Sequence, residues 1–187
     1  MTSVLKVDNI QTSSGSAPNA ATLGFEAGSV VKTTLFPVIG RVTISSLAAF
    51  SNNRSNYKTI GSSYTKSITV RTNNPILLIT GTIVLASTST SHKYFDFKLT
   101  GDSTGWASQK IISTADGLVT NHITSIDEIF PTSVHLAWET SLTAGQSVTF
   151  DPQVATWAAG NILTNQYRDG NSNQDMVTRF ICQEIAT

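Results

Sequence analysis

The sequence predicts an all-β protein: an antiparallel β-sandwich, jelly-roll-like, preceded by a short N-terminal strand and arm. Three observations predict it. Apolar residues recur with a period of two over short runs, and no helical period lasts three turns. Clusters of Gly, Asn, Asp and Ser separate the runs. Charged residues make up 13% of the chain, against about 25% in a typical soluble domain. Ser and Thr fill that gap, and they favour turns and strands respectively.

The elements follow in order. In "LKVDNIQ", residues 5–11, Leu5 and Val7 point one way and Lys6 and Asp8 the other; Ile10 joins the apolar face only through a bulge. "TSSGSAPNAAT", residues 12–22, has no core-forming residue and reads as a linker or wrapped arm. The segment 30–35 is a strand stopped by Pro37, and 40–46 is a second, with Val42 and Ile44 on one face. Asn52 to Asn56 form a polar loop. Residues 64–71 alternate, with Ile68 and Val70 together. "ILLITGTIVLA", residues 76–86, is apolar on both faces. It marks a central strand covered on both sides, with Gly81 at a bulge or a close backbone approach. Residues 93–99 alternate, with Phe95, Phe97 and Leu99 inward and Tyr94, Asp96 and Lys98 outward. Weaker strands are expected at 111–113 and 118–123, and a helical turn at 126–130. The strand 133–140 puts Val134, Leu136 and Trp138 inward and His135 outward. Strands at 147–150 and within 176–186 complete the sandwich, Phe180 and Cys182 facing one way and Ile181 and Ile185 the other.

Composition narrows the function. The formal net charge is zero and no basic block appears, so the footprint of a nucleic-acid binder is missing. The single cysteine allows no intrachain disulfide framework. No apolar run reaches the length of a membrane helix, and Lys6 and Asp8 break the only N-terminal run that could resemble a secretion signal. The expectation is therefore a protein made in a cytoplasm, without membrane insertion.

Four stretches together carry a resemblance. "LKVDNIQTSSGS" is similar to the "LKVDTIQ…SGS" start of tail-fibre and minor structural proteins of marine phages of the cyanophage and pelagiphage kind. "AGSVVKTT", residues 27–34, resembles the strand that opens their β-domain. "GSSYTKSITVRTNNPILLITGTIVLAS", residues 61–87, resembles their succession of aromatic-Thr strand, polar turn and long apolar strand. "FICQEIAT", residues 180–187, resembles their closing strand, although Cys182 and Gln183 depart from its usual Met-Glu-Ile-Ala ending. The resemblance implies a virion surface component: a fibre, spike or decoration, usually trimeric.

The expected organisation is an attachment strand and arm over residues 1–26 and a β-sandwich over 27–187. Leu5, Val7 and Ile10 are the candidate anchors of the arm, pairing with another virion protein, capsid or tail. Ile76, Leu78, Phe180 and Ile185 are the candidate subunit interface of a homotrimer. Trp106, Trp157 and Tyr167 lie in or beside loops; their apolar faces with polar tips suit sugar rings on a host-surface glycan, although capping of the sandwich ends or packing between subunits explains them better. Asp169, Asn171, Asn173 and Asp175 place oxygens at alternate positions like the first half of a calcium loop. Gln174 and Phe180 stand where such a loop needs Gly and Glu, so a solvated turn explains it better.

No catalytic constellation is read, and no cofactor. Asp127 and Glu128 would point to opposite faces of a strand, which makes a poor glycosidase pair. His92, His122 and His135 have no metal spacing. Cys182 sits in an apolar strand and reads as an inert core residue. The expected function is a structural phage virion protein, a trimeric fibre component. The alternative is a capsid decoration (a cement or head fibre). A carbohydrate-active enzyme or sugar-binding module is the second class.

Overall fold

The computed structural model describes residues 26–49, 54–88, 90–111, 117–123, 130–165 and 177–187. Its strands are β1 (Val30–Leu35), β2 (Val42–Leu47), β3 (Lys58–Thr59), β4 (Lys66–Thr69), β5 (Ile76–Ser87), β6 (Ser91–Gly101), β7 (Gly105–Trp106), β8 (Val119–Ile123), β9 (Phe130–Glu139), β10 (Ser147–Thr156), β11 (Gly160–Thr164) and β12 (Arg179–Ile185). A short helix, α1 (Ala107–Ile111), and a 3₁₀ turn at Ser62–Tyr64 accompany them. The strands form two antiparallel sheets packed face to face, the β-sandwich the alternation predicts.

Each sheet is built on a pair of long strands. In the first, β9 runs along one side of β5 from Ile76 to Leu85. On the other side β12 pairs with residues 76–82 and β11 with 85–87. β1 lies outside β12, and β2 outside β11. In the second sheet β6 and β10 pair over nine residues each. β8 and β7 share the outer side of β6, and β4 and β3 share the outer side of β10. Pro152 sits mid-strand in β10 because its missing N–H falls in the gap between β4 and β3. Its carbonyl still accepts from Ile60 N–H at 2.9 Å.

The core follows from the alternation. Phe95, Phe97 and Leu99 of β6 turn inward, as do Val134, Leu136 and Trp138 of β9, and all are buried. Phe180 reaches from the first sheet to the second. Its ring stacks on Phe95 at 5.4 Å between centroids and meets Phe97 edge-on at 5.1 Å. Phe36 and Phe150 close the cluster around Phe97 at 5.5 and 5.8 Å. Such offset and edge-to-face pairs add about 0.5–1.5 kcal/mol each beyond their buried area.

Gly81 lies opposite Phe180 in the ladder and marks the close approach its position suggests. A Cβ there would stand 2.6 Å from Phe180 Cδ1 and deep inside contact with the Arg179 carbonyl. The Phe180 ring occupies the space a side chain would need.

Several expectations need correction. Residues 111–113 were expected in a strand, but Ile111 ends α1. Tyr64 belongs to the 3₁₀ turn, not to the following strand. β3 and β11 carry no alternation long enough to be read, and β10 continues well past Phe150. Tyr94 and Asp96 were expected to face solvent, but both are buried. The outer face of the second sheet is covered by the segment after Arg54 and by α1, a consequence of chain path that strand alternation cannot show.

Gly81→Ala should destabilise the protein by about 1–3 kcal/mol through overpacking. The expected reading is a lower urea midpoint with an unchanged slope. A wild-type midpoint would mean that β5 and β12 can part without cost.

Candidate functional site

Residues opposite each other in an antiparallel ladder share a face. On the outer face of the first sheet the register aligns Val30, Ile185, Ile76 and Glu139 in one row. The next row is Thr33, Gln183, Leu78 and Ala137, and the third is Leu35, Ile181, Thr80 and His135. Ile76, Leu78, Ile181 and Ile185 are half-buried, while their in-strand neighbours Leu77, Ile79, Cys182 and Glu184 point inward and are buried. Ile76, Leu78, Ile181 and Ile185 thus share this face with Thr33, Gln183 and Thr80, and Glu139 and Arg179 stand at its margins.

The rim beside it is more exposed. Val30, Leu35, Val38 and Val177 are 43–58% exposed, and they are four of the six exposed large hydrophobic residues among those described. Val38 and Val177 flank the Ile39–Thr178 bridge that extends β1. Among the described residues β1 pairs with β12 alone, so its outer edge is the rim of the sheet. Apolar residues concentrated along an edge strand are a template for association. Rim and face adjoin but differ, so the rim of one copy can pack on the face of the next. Contacts of that heterologous kind close into rings where the rotation between copies closes, and otherwise run on as open filaments.

The candidate residues fall into three groups. Ile76, Leu78 and Ile185 share the outer face. Phe180 does not: it is fully buried in the core of its own chain, so its place in the expected interface is corrected. The apolar residues of β12 serve two faces, and the reading mixed them. Trp157 is 55% exposed, whereas Trp106 is half-buried in β7. Its ring lies 4.8 Å from that of Tyr57 and 5.2 Å from the Arg54 guanidinium. Leu5, Val7, Ile10, Tyr167, Asp169, Asn171, Asn173 and Asp175 lie outside the described residues. Among the described residues no group of three or more His, Cys, Asp or Glu is placed to hold a metal ion.

No protein-family model matches this chain, and no curated protein matches it. Among solved structures it is similar to the Eiger TNF from S. frugiperda, at 15% identity and a TM-score of 0.38, over 85% of this chain and 94% of that one. It is also similar to infectious bursal disease virus, Gt strain, at 11% identity and a TM-score of 0.43, over 85% of this chain and 39% of that one. The subviral particle of that virus's VP2 gives 11% identity, a TM-score of 0.38 and the same coverage. The chain thus spans about 39% of the length of those viral chains. At these values no function is carried across.

The second sheet holds a buried carboxylate, Asp96, that strand alternation alone leaves in solvent. Asp96 is fully buried and paired with Arg54, which is 8% exposed. Arg54 also donates to Ser108 Oγ at 2.7 Å, and Asp96 accepts from the N–H groups of Phe97 and Ser108 at 2.8 and 3.2 Å. Burial pushes the Asp96 carboxyl above the ordinary carboxylate range, while the Ser108 hydroxyl, Arg54 and the two N–H groups pull it back. Each Asp96 oxygen accepts two hydrogen bonds, from Arg54 and the Ser108 hydroxyl on one and from two N–H groups on the other, an arrangement that clamps the covering segment. No local signal announced it: Arg54 sits 42 residues from Asp96 in a stretch of Ser and Asn.

Lys93 is also buried. Its Nζ donates to Ser91 Oγ at 2.6 Å and Thr156 Oγ1 at 3.0 Å. Burial lowers its pKa from the ordinary 10.5 to about 8. The unfolded chain thus holds this proton to higher pH than the folded one, so stability rises as pH climbs above about 8. Cys182 acts oppositely above pH 9: burial, then the nearby Glu184, push its thiol up to about 12. Unfolding free energy should therefore rise between pH 8 and 9, by up to about 1 kcal/mol, and Lys93→Met should abolish the rise. Equal pH dependence in both proteins, measured by urea denaturation, would refute the assignment.

Proposed function

We propose that this chain is a non-enzymatic structural component of a phage virion: a fibre or spike subunit that trimerises through the rim and outer face of its first sheet. The observation that carries the proposal is the apolar surface that runs from Val30 and Leu35 across Ile181 and Ile185 to Ile76 and Leu78, with Thr33, Gln183 and Thr80 set among them. Covering it gains about 25 cal/mol per Å² of apolar area. A chain with zero net charge and few charged residues packs against copies of itself with little electrostatic opposition.

The N-terminal segment is the proposed attachment. The described chain begins at Glu26, close to the rim, where Gly28 N–H bonds the Ala186 carbonyl at 2.8 Å. A tether of about ten residues spans roughly 15–20 Å. That reach lets Leu5 and Val7 pair with a neighbouring virion protein by strand addition.

Mass photometry at micromolar protein should show three copies of the 20.0 kDa chain. Leu78→Glu, and separately Ile185→Glu, should shift it to monomer by placing a charge in the contact, with the circular dichroism of the β-domain unchanged. A wild-type monomer would refute the trimer. Deleting residues 1–16 should leave a folded trimer that no longer enters the particle. Incorporation of the deleted protein would refute the attachment role.

A further inference from the structure

We propose that His135 makes assembly of this chain pH-dependent: it stands on the part of the first sheet's outer face that receives the rim of the next copy, and its protonation opens that contact. The inference rests on the trimer proposed above and names what regulates it. β9 is the margin of the first sheet opposite β1, with β12 and β5 between them. A copy in a closed ring meets its two neighbours with two different patches. Its β1 rim serves one of them, so the half of the face toward β5 and β9 serves the other. His135 is exposed on that half, between the buried Val134 and Leu136. It shares a row with Leu35, Ile181 and Thr80. Where the ring axis runs along the strands each row keeps its height, so the exposed Leu35 of one copy comes level with His135 of the next.

The face offers an imidazolium no counter-charge close by. The neighbours of His135 on it are Thr80 of β5 and Ser133 and Ala137 of β9. β12 contributes Ile181 in the same row and Arg179 one row further on, itself a cation. α1 packs against β9 and sets Lys110, a second cation, 5.6 Å from the centre of the Trp138 ring. The one carboxylate on this face among the described residues is Glu139, four residues along β9 from His135. That length of strand spans about 13–14 Å, more than the Debye length of about 10 Å at 0.1 M salt. A neutral imidazole packs against an apolar rim at little cost. An imidazolium carries an uncompensated charge into a contact that excludes water.

A covered ring therefore holds a proton less tightly than the same ring in the free chain, and the trimer binds fewer protons than three monomers. Assembly is then complete above the range in which histidine changes charge, between pH 5 and 8, and is lost as pH falls through it. Carboxylates ordinarily change charge below that range. Up to three protons enter per trimer dissociated. The dissociation constant rises by up to about a thousandfold per pH unit, and the protein concentration at half assembly by up to about thirtyfold.

Sedimentation velocity of the full chain at about pH 8 and about pH 5 tests this, with circular dichroism on the same samples. Wild type should be trimeric at the higher pH and move toward monomer at the lower. The concentration at half assembly should rise at least about tenfold, with the spectrum of the β-domain unchanged. His135→Gln cannot take up the proton and should stay trimeric at both. His135→Lys is charged at both and should be monomeric at both. The switch is overturned, and the trimer left standing, by a wild-type trimer that persists at the lower pH or by loss of the β-spectrum there. An equal pH response in His135→Gln, or a trimeric His135→Lys, overturns it in the same way. A wild-type monomer at the higher pH overturns the trimer and the switch together.

Discussion

The seating of Phe180 over Gly81 is the contact on which the rest of the sandwich depends. Phe180 is the first-sheet residue that reaches both Phe95 and Phe97 of the second. Its ring occupies the space above Gly81, and no other residue type at that position leaves the space empty. The pairing of β5 with β12 and the packing of the two sheets are thus one event. With Phe180 turned inward, period-two alternation turns Ile181 and Ile185 outward. The same constraint that builds the core therefore exposes the aliphatic face.

That coupling explains the division of labour between the sheets. β12 is short and serves both sides: aromatic, thiol and carboxylate inward, isoleucines outward. The buried Glu184 shows how polar groups are accommodated inside. Its Oε1 accepts from the N–H groups of Arg71 and Thr72 and from the Thr72 hydroxyl, at 2.7–2.9 Å. The carboxylate pins the turn between β4 and β5, joining the sheets at one end of the sandwich. Asp96 does comparable work on the second sheet, where it holds the covering segment through Arg54 and Ser108. Both Asp96 oxygens accept hydrogen bonds, whereas Glu184 gathers its three donors on Oε1 and keeps Oε2 buried without a partner among the described residues, and a buried charge so incompletely paired is costly.

The two outer faces then differ in kind. The first sheet presents Ile76, Leu78, Ile181 and Ile185 among Thr33, Gln183 and Thr80, beside an exposed apolar rim. The second presents aromatic rings and a clamped polar cluster, most of it covered, with one end accessible.

How much of this was legible depends on the range of the interaction. The alternation of β6, β9 and β12 and the turn clusters between runs are local, and they suffice for an all-β sandwich, for the inward set of Phe95, Phe97, Leu99, Val134, Leu136 and Trp138, and for a close approach at Gly81. The aliphatic face was half legible: Ile76, Leu78 and Ile185 could be named, because a strand apolar on both sides must offer one side to something else. Phe180 was misplaced because a closing strand with apolar residues on both faces does not say which of them faces inward. Only the tertiary structure decided that, by bringing Gly81 opposite it. Likewise the burial of Asp96 was decided by a distant segment, since a charge on the outer side of an alternating strand is exposed unless something far away in the chain covers it; Lys93 shares the inward face of Phe95, where Ser91 and Thr156 accept from its ammonium. The sequence by itself determined the period of each strand and so the existence of two faces. The tertiary structure decided which face meets what, because covering a face is a property of chain path and not of neighbours in sequence.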